Sequence, residues 1–216
     1  MRKWKSVPDL LVGFDTETTG LSVNSERAIS YGFAVYRFGQ AAETFHYFVI
    51  PDRPITEGAR RVHGMGLADL EAMRGTFDVL SVAAGVTRAI QILLDYHRAG
   101  AYVVGANVAN FDLEMLRRSA LSAVGTDFRA AGFDVADLRI IDVIDHDLAI
   151  EARSQLNHNR SLTRLCSYYG IAPGGHDALE DARAAVEVFL EQVVRNNAGQ
   201  RPFDLSAPAS EAAITD

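Results

Sequence analysis

The chain opens with an unbroken apolar run, Leu10-Leu11-Val12-Gly13-Phe14, the pattern of a strand buried on both faces. It stops abruptly at Asp15-Thr16-Glu17-Thr18-Thr19-Gly20, where acid and hydroxyl side chains replace aliphatic ones. Ala28 to Phe38 and Ala42 to Ile50 are β-rich runs parted by Gly39-Gln40, so the spacing predicts a hairpin. Beyond it the period lengthens. Ile55 to Val62 reads as a short helix, and Phe77 to Arg98 as a long amphipathic helix with Thr76 as its N-cap. Tyr102 to Val104 is a short apolar strand, Phe111 to Leu121 a helix, and Ile140-Ile141 a last strand. Ser161 to Tyr169 and Asp177 to Asn196 are predicted helices, broken apart by Pro173-Gly174-Gly175.

Strands that begin as an antiparallel group and then alternate with helices define an α/β fold, here a mixed five-stranded sheet flanked by helices. The organisation expected is an N-terminal extension over residues 1–9, one domain over 10–197, and a disordered tail over 198–216. No internal repeat is visible.

Composition narrows the function classes. Hydrophobic content of 48% supports a full core, and no apolar run reaches membrane-spanning length. The basic start, Met1-Arg2-Lys3-Trp4-Lys5, has no apolar stretch of the signal-peptide kind, so a soluble cytoplasmic protein is expected. The single cysteine, Cys166, cannot pair internally and falls in an apolar helical pattern, where an inert buried thiol is expected. A net charge of −7 argues against nucleic-acid binding by long-range charge alone. It leaves a nuclease open, because divalent ions held by the excess acid reverse the local sign. Positive charge comes almost wholly from arginine. Arg60-Arg61, Arg117-Arg118 and the series Arg153, Arg160, Arg164 are candidate phosphate contacts, though singly most read as solvated helix faces.

The chemistry sits in four acids and a histidine. Asp15 and Glu17 lie two apart on an extended segment, so both point to one face at the end of a central strand, where ligands bind in open α/β sheets. Asp112, in Asn110-Phe111-Asp112, follows a strand and a loop. His176 and Asp181 are five apart, which is not one helical face; they reach one site if His176 stands on the turn before the helix. Asp177 is its expected N-cap. Gathered carboxylates repel unless cations hold them, and hard oxygen ligands suit Mg²⁺ or Mn²⁺. A histidine beside them is a candidate general base. Each motif alone is common. A rival cluster, Asp142, Asp145, His146 and Asp147, reads as a solvated helix start.

Taken together these segments resemble the DEDDh (DnaQ-like) family of 3′→5′ exonucleases, the group of the proofreading ε subunit of bacterial DNA polymerase III, oligoribonuclease and RNase T. Asp15, Glu17 and the following Thr19-Gly20-Leu21 match the first motif, Asp112 the second, and His176-x-Ala178-x-x-Asp181 the third. Arg61-Val62-His63-Gly64-Met65 is similar to a Val-His-Gly segment of proofreading members, and Ser161-Leu162 through Gly170 to the stretch before the third motif. Members often carry His-Asn-Ala before the second motif; here the run is Asn107-Val108-Ala109-Asn110.

The resemblance implies a ribonuclease-H-like sheet and an exonuclease domain over residues 10–197. It implies two Mg²⁺ or Mn²⁺ ions bridged by Asp15, with Glu17 and Asp181 completing one and Asp112 the other. His176 would take the proton from the attacking water. Leu21 would press on the terminal base, with Thr16, Thr19 and Phe111 as further substrate contacts. The expected activity is release of nucleoside 5′-monophosphates from single-stranded DNA 3′ ends. The alternatives are a 3′→5′ exoribonuclease and a non-catalytic nucleic-acid or polymerase-binding module on the same fold. Expected partners are a single-stranded DNA or RNA 3′ end and a DNA polymerase or sliding clamp. The clamp rests on Gln200-Arg201-Pro202-Phe203-Asp204-Leu205, a faint clamp-peptide pattern. A homodimer is a further option, since several members dimerise.

Overall fold

A computed structural model of the protein describes residues 6–126, 129, 134–150 and 160–198. The 198–216 tail beyond its first residue, with the clamp-like Gln200 to Leu205, therefore lies outside the described residues, as do Arg153 and most of the N-terminal extension.

The central strand β1 (Leu10–Thr18) pairs antiparallel with β2 (Ala28–Arg37), which pairs antiparallel with β3 (Gln40–Ile50). The turn between β2 and β3 passes through Phe38 and Gly39, both at positive φ. Two short helices follow, α1 (Glu57–His63) and α2 (Leu67–Ala72). Then come β4 (Val79–Ser81), α3 (Val82–Arg98), β5 (Tyr102–Gly105) and α4 (Asp112–Ala123). The remaining elements are β6 (Arg139–Asp142), α5 (Val143–Ile150), α6 (Leu162–Tyr169) and α7 (Ala178–Ala198). The sheet order is β4-β3-β2-β1-β5-β6, with β5 parallel to β1, β6 parallel to β5, and β4 parallel to β3.

The sheet is thus mixed and α/β as expected, but six-stranded and not five. The extra strand is β4. Its three residues run straight into α3 without a polar break, so the sequence pattern merges strand and helix. The helix consequently starts at Val82 and not at Phe77, and its cap is Ser81, whose Oγ accepts the Ala84 N–H at 3.3 Å, not Thr76. β1 also runs to Thr18, past Phe14, so Asp15 and Glu17 are strand residues paired opposite Gly32 and Ser30.

Alternation along β1 divides the core. Val12 and Phe14 face one cluster with Val86 and Leu93 of α3 and Leu113 and Leu116 of α4. Leu11 faces another with Leu165 of α6 and Val186 and Phe189 of α7. Each face buries enough apolar surface to fix the strand's register, since a one-residue slip would invert every side chain. Cys166 is buried in the second cluster, as expected. Among the described residues no helix is long and apolar enough to cross a membrane.

Candidate active site

Odd-numbered residues of β1 face α7, and the contact is unusually close. A Cβ on Gly13 would overlap the Ala182 carbonyl, and one on Gly32 the backbone of Ala178 and Leu179. With no side chains between, the first turns of α7 lie directly on β1 and β2. Asp15 sits opposite Gly32, so this approach sets Asp181 of α7 beside Asp15 and Glu17. The turn before α7 has Gly175 and His176 both at positive φ, 70° and 64°. A left-handed histidine is uncommon, and such strain concentrates at functional sites. It lets His176 leave the helical path and face Asp181, whose charged form is favoured by the His176 charge and by the nearby backbone of His176 and Gly174. Asp177 is the cap, its Oδ1 accepting the N–H groups of Leu179 at 3.0 Å and Glu180 at 3.1 Å.

Asp112 arrives from the opposite face of the sheet, as the first residue of α4. The Thr16 hydroxyl donates to its Oδ1 at 2.6 Å and ties it to β1. Asp15, Glu17, Asp112, His176 and Asp181 all line one cavity of about 500 Å³. Ligand atoms of Glu17, His176 and Asp181 lie within 4.8 Å of one another.

The electrostatics show the cost of this convergence. Burial raises the Asp15 carboxyl well above its ordinary range, and the charges of Asp112, Asp181 and Glu17 raise it further. Glu17 is pushed up to about 8 by burial and then by Asp181 and Asp112. Asp112 rises to about 7 through burial, against the pull of the Thr16 hydrogen bond. Asp181 is raised by burial and partly relieved by His176. Four crowded carboxylates, two of them buried and two half-buried, cannot all ionise without added positive charge, and no lysine or arginine pairs with them among the described ion pairs. An all-oxygen donor set of this kind fits hard divalent cations.

A second cavity, also about 500 Å³, adjoins the first and shares Thr16, Glu17 and Phe111 with it. Leu21 stands at its edge, 87% exposed. His63 lines it too. Its Nδ1 accepts the Met65 N–H at 3.1 Å, so Nε2 carries the proton and donates to the Thr18 carbonyl at 3.2 Å. Thr19 lines neither cavity. Its hydroxyl donates to Glu26 Oε2 at 2.5 Å and accepts the Arg27 N–H at 3.0 Å, so it braces the turn that carries Leu21.

The other wall residues include some the sequence had read as solvated or as departures from the motifs. Asn107, at φ 59°, and Asn110 lie in the loop before α4, Asp142 ends β6, Asp145 is in the first turn of α5, and Arg160 precedes α6. The reading of Asp142 to Asp147 as a solvated helix start is corrected here. Asp147 and His146 are buried, because Arg160 and Tyr169 satisfy Asp147 while Gln192 Oε1 meets His146 Nδ1 at 2.8 Å. Arg117 and Arg118 both pair with Glu114 on their own helix.

The mixed α/β fold and the converging acids are the arrangement the sequence predicted, and comparison with known proteins gives the family. The family model RNase_T, exonuclease, matches residues 12–189, so the chain belongs to that exonuclease family, the DEDDh or DnaQ-like group, and is a nuclease hydrolase. Among curated proteins it is 28% identical over 184 residues to the PolC-type DNA polymerase III of Thermotoga maritima. It is 26% identical over 183 residues to that of Caldanaerobacter subterraneus subsp. tengcongensis. These matches take in 84% of this chain but only 12% and 11% of the relatives. Among solved structures, Exonuclease I of E. coli in complex with a dT13 oligonucleotide shares the fold at TM-score 0.68 and 18% identity, over 89% of this chain and 42% of that one. The moderately thermophilic Exonuclease I of Methylocaldum szegediense does so at TM-score 0.68 and 20% identity, over 89% and 41%.

Proposed function

We propose that the protein is a 3′→5′ exonuclease that removes nucleoside 5′-monophosphates from single-stranded DNA ends, using two divalent cations. The observation that carries this reading is the convergence of Asp15, Glu17, Asp112 and Asp181, with His176, on one cavity wall. Those four carboxylates would hold Mg²⁺ or Mn²⁺. The bound cations supply positive charge that makes water acidic enough to act as a nucleophile and stabilises the leaving 3′ oxygen. His176 takes the proton from the attacking water, a task suited to imidazole at neutral pH. The polarity of attack requires the terminal nucleotide to be held apart from its neighbour. Leu21 and Phe111, at the rim and floor of the second cavity, meet the terminal base, and the backbone near Thr16 meets the terminal 3′ hydroxyl.

Single-stranded DNA is favoured because the fold is shared with Exonuclease I, solved with a dT13 oligonucleotide, and because the sequence relatives are DNA polymerases. The same relatives support work beside a polymerase. The test is a rate comparison on matched DNA and RNA oligomers, with products separated by chromatography. Nucleoside 5′-monophosphates released faster from DNA are expected. Faster RNA turnover would make the protein an exoribonuclease, and 3′-monophosphate products would overturn the assigned polarity of cleavage.

A further inference from the structure

The described wall of the catalytic cavity holds six carboxylates and one histidine, but a single arginine, Arg160. Its side chain is 5% exposed, and its Nε donates to Asp147 Oδ2 at 2.6 Å. Asp147, on α5, has 0% of its side chain exposed and also accepts the Tyr169 hydroxyl at 2.6 Å. Tyr169, which ends α6, is itself fixed by Arg195 of α7, which donates to its carbonyl at 2.9 Å and lies 5.1 Å from its ring centroid. Three helices thus fix the side chain of Arg160, a residue of the cavity wall.

A buried ion pair is poor value as a stabiliser, since hydrophobic groups of the same volume often serve as well or better. Its place in the fold suggests another use. The substrate carries one negative charge per linkage, and the cations at the four carboxylates serve the linkage being broken. The flanking linkage enters a wall that is otherwise acidic. A planar guanidinium presents its donors as a fork suited to phosphate oxygens, and engagement of Nε by Asp147 orients that fork.

We propose that Arg160 binds a non-bridging phosphate oxygen of the strand lying in the catalytic cavity, with Asp147 as its positioning residue. This rests on the exonuclease reading above. The two contacts to Asp147 come from different elements, so the carboxylate fixes where the cation stands. Nothing in the assignment depends on proton transfer by Arg160.

The test uses the full chain and single-stranded DNA oligomers in which each of the three linkages nearest the 3′ end is replaced in turn by a neutral methylphosphonate. Wild type is compared with Arg160→Lys and with the neutral, hydrogen-bond-preserving pair Asp147→Asn/Arg160→Gln. The pair should raise KM and lower kcat/KM by roughly 10- to 100-fold, the scale of one charged hydrogen bond. Arg160→Lys, which keeps the charge but loses the fork, should fall between. At one linkage the methylphosphonate should slow wild type and leave the pair variant little changed, a coupling that lost stability alone does not produce. Asp147→Asn alone leaves the buried guanidinium without its counter-charge and should lower the melting temperature, which is why the two residues are neutralised together. If wild type is active and the pair variant keeps the wild-type KM and linkage profile, the assignment is overturned and the exonuclease reading stands. If the pair variant does not fold, Arg160→Lys with the linkage scan decides: an unchanged profile overturns the assignment. Absence of metal-dependent shortening in wild type instead overturns the exonuclease reading on which it rests.

Discussion

Asp15 carries a heavy electrostatic burden. It stands half-buried on the central strand, and Asp112, Asp181 and Glu17 all press on its charge. Removing it should therefore separate function from stability. Asp15→Asn is expected to abolish turnover while raising the melting temperature of the metal-free protein at pH 8, checked by activity assay and thermal melting. The sign of the pH dependence follows from the same crowding. Glu17 ionises near 4.5 when unfolded but only at about 8 when folded, and Asp112 moves from 3.8 to about 7. Between those limits the folded state keeps protons that the unfolded state has released, so the contribution of these two groups is full below about pH 4 and is lost as pH rises toward 8. Melting without metal should show that decline. Added Mg²⁺ or Mn²⁺ should restore stability more at pH 8 than at pH 5; a stabilisation that does not grow with pH would speak against these carboxylates as ligands. His176 stands with Glu17 and Asp181 in reach of one ion, so its role needs its own test. His176→Ala should lower the rate about 10²–10⁴-fold, the usual scale for a general base, with metal affinity largely kept. Calorimetry showing an equal loss of metal affinity would make it a ligand.

At the level of elements, the site depends on how closely α7 lies on the sheet. Gly13 and Gly32 create that approach, because any Cβ there would overlap the helix backbone. Gly32→Ala should destabilise the protein by about 1–3 kcal/mol through overpacking. It should also cut activity, because Asp181 and His176 ride on the displaced segment. Denaturant unfolding and the digestion rate read the two effects, and an unchanged rate in a destabilised variant would show that α7 can shift without disturbing the site. The acids themselves were legible in the chain, because Asp15-x-Glu17, Phe111-Asp112 and His176 to Asp181 are local patterns with fixed spacing. The cap at Asp177 was legible for the same reason. Other features were not. Val79 to Ser81 forms a strand only because β3 is beside it, and so short a segment has no period of its own. Asp147 and His146 read as solvated because charge usually is; their partners, Arg160, Tyr169 and Gln192, lie far along the chain. The second cavity was legible in Thr16, Leu21 and Phe111 and in the Val62-His63 segment, but not in Thr56, Gly58 and Ala59, whose stretch matched no motif.

At the scale of the whole molecule, the proposed function sets a chain of net charge −7 on a polyanion. On that reading attraction would be local, supplied by cations at the carboxylates and by Arg160 on the cavity wall. Binding of single-stranded DNA should be weak in EDTA and rise steeply with Ca²⁺, a divalent ion chosen to occupy the site with slow turnover; fluorescence anisotropy of a labelled oligomer measures it. The chain matches only 12% of the length of its PolC-type relative, so the fold and site argued here are those of a domain that elsewhere forms part of a much larger protein. The central claim is that the converging acids form a metal-dependent site working inward from a 3′ end. Its most direct test is a time course on a 5′-labelled single-stranded DNA oligomer, with wild type and Asp15→Asn, in Mg²⁺, Mn²⁺ or EDTA. The expected result is a ladder shortening one nucleotide at a time from the 3′ end, seen only with wild type and metal. A ladder of equal rate from Asp15→Asn, or no shortening by wild type with either metal, would contradict the account.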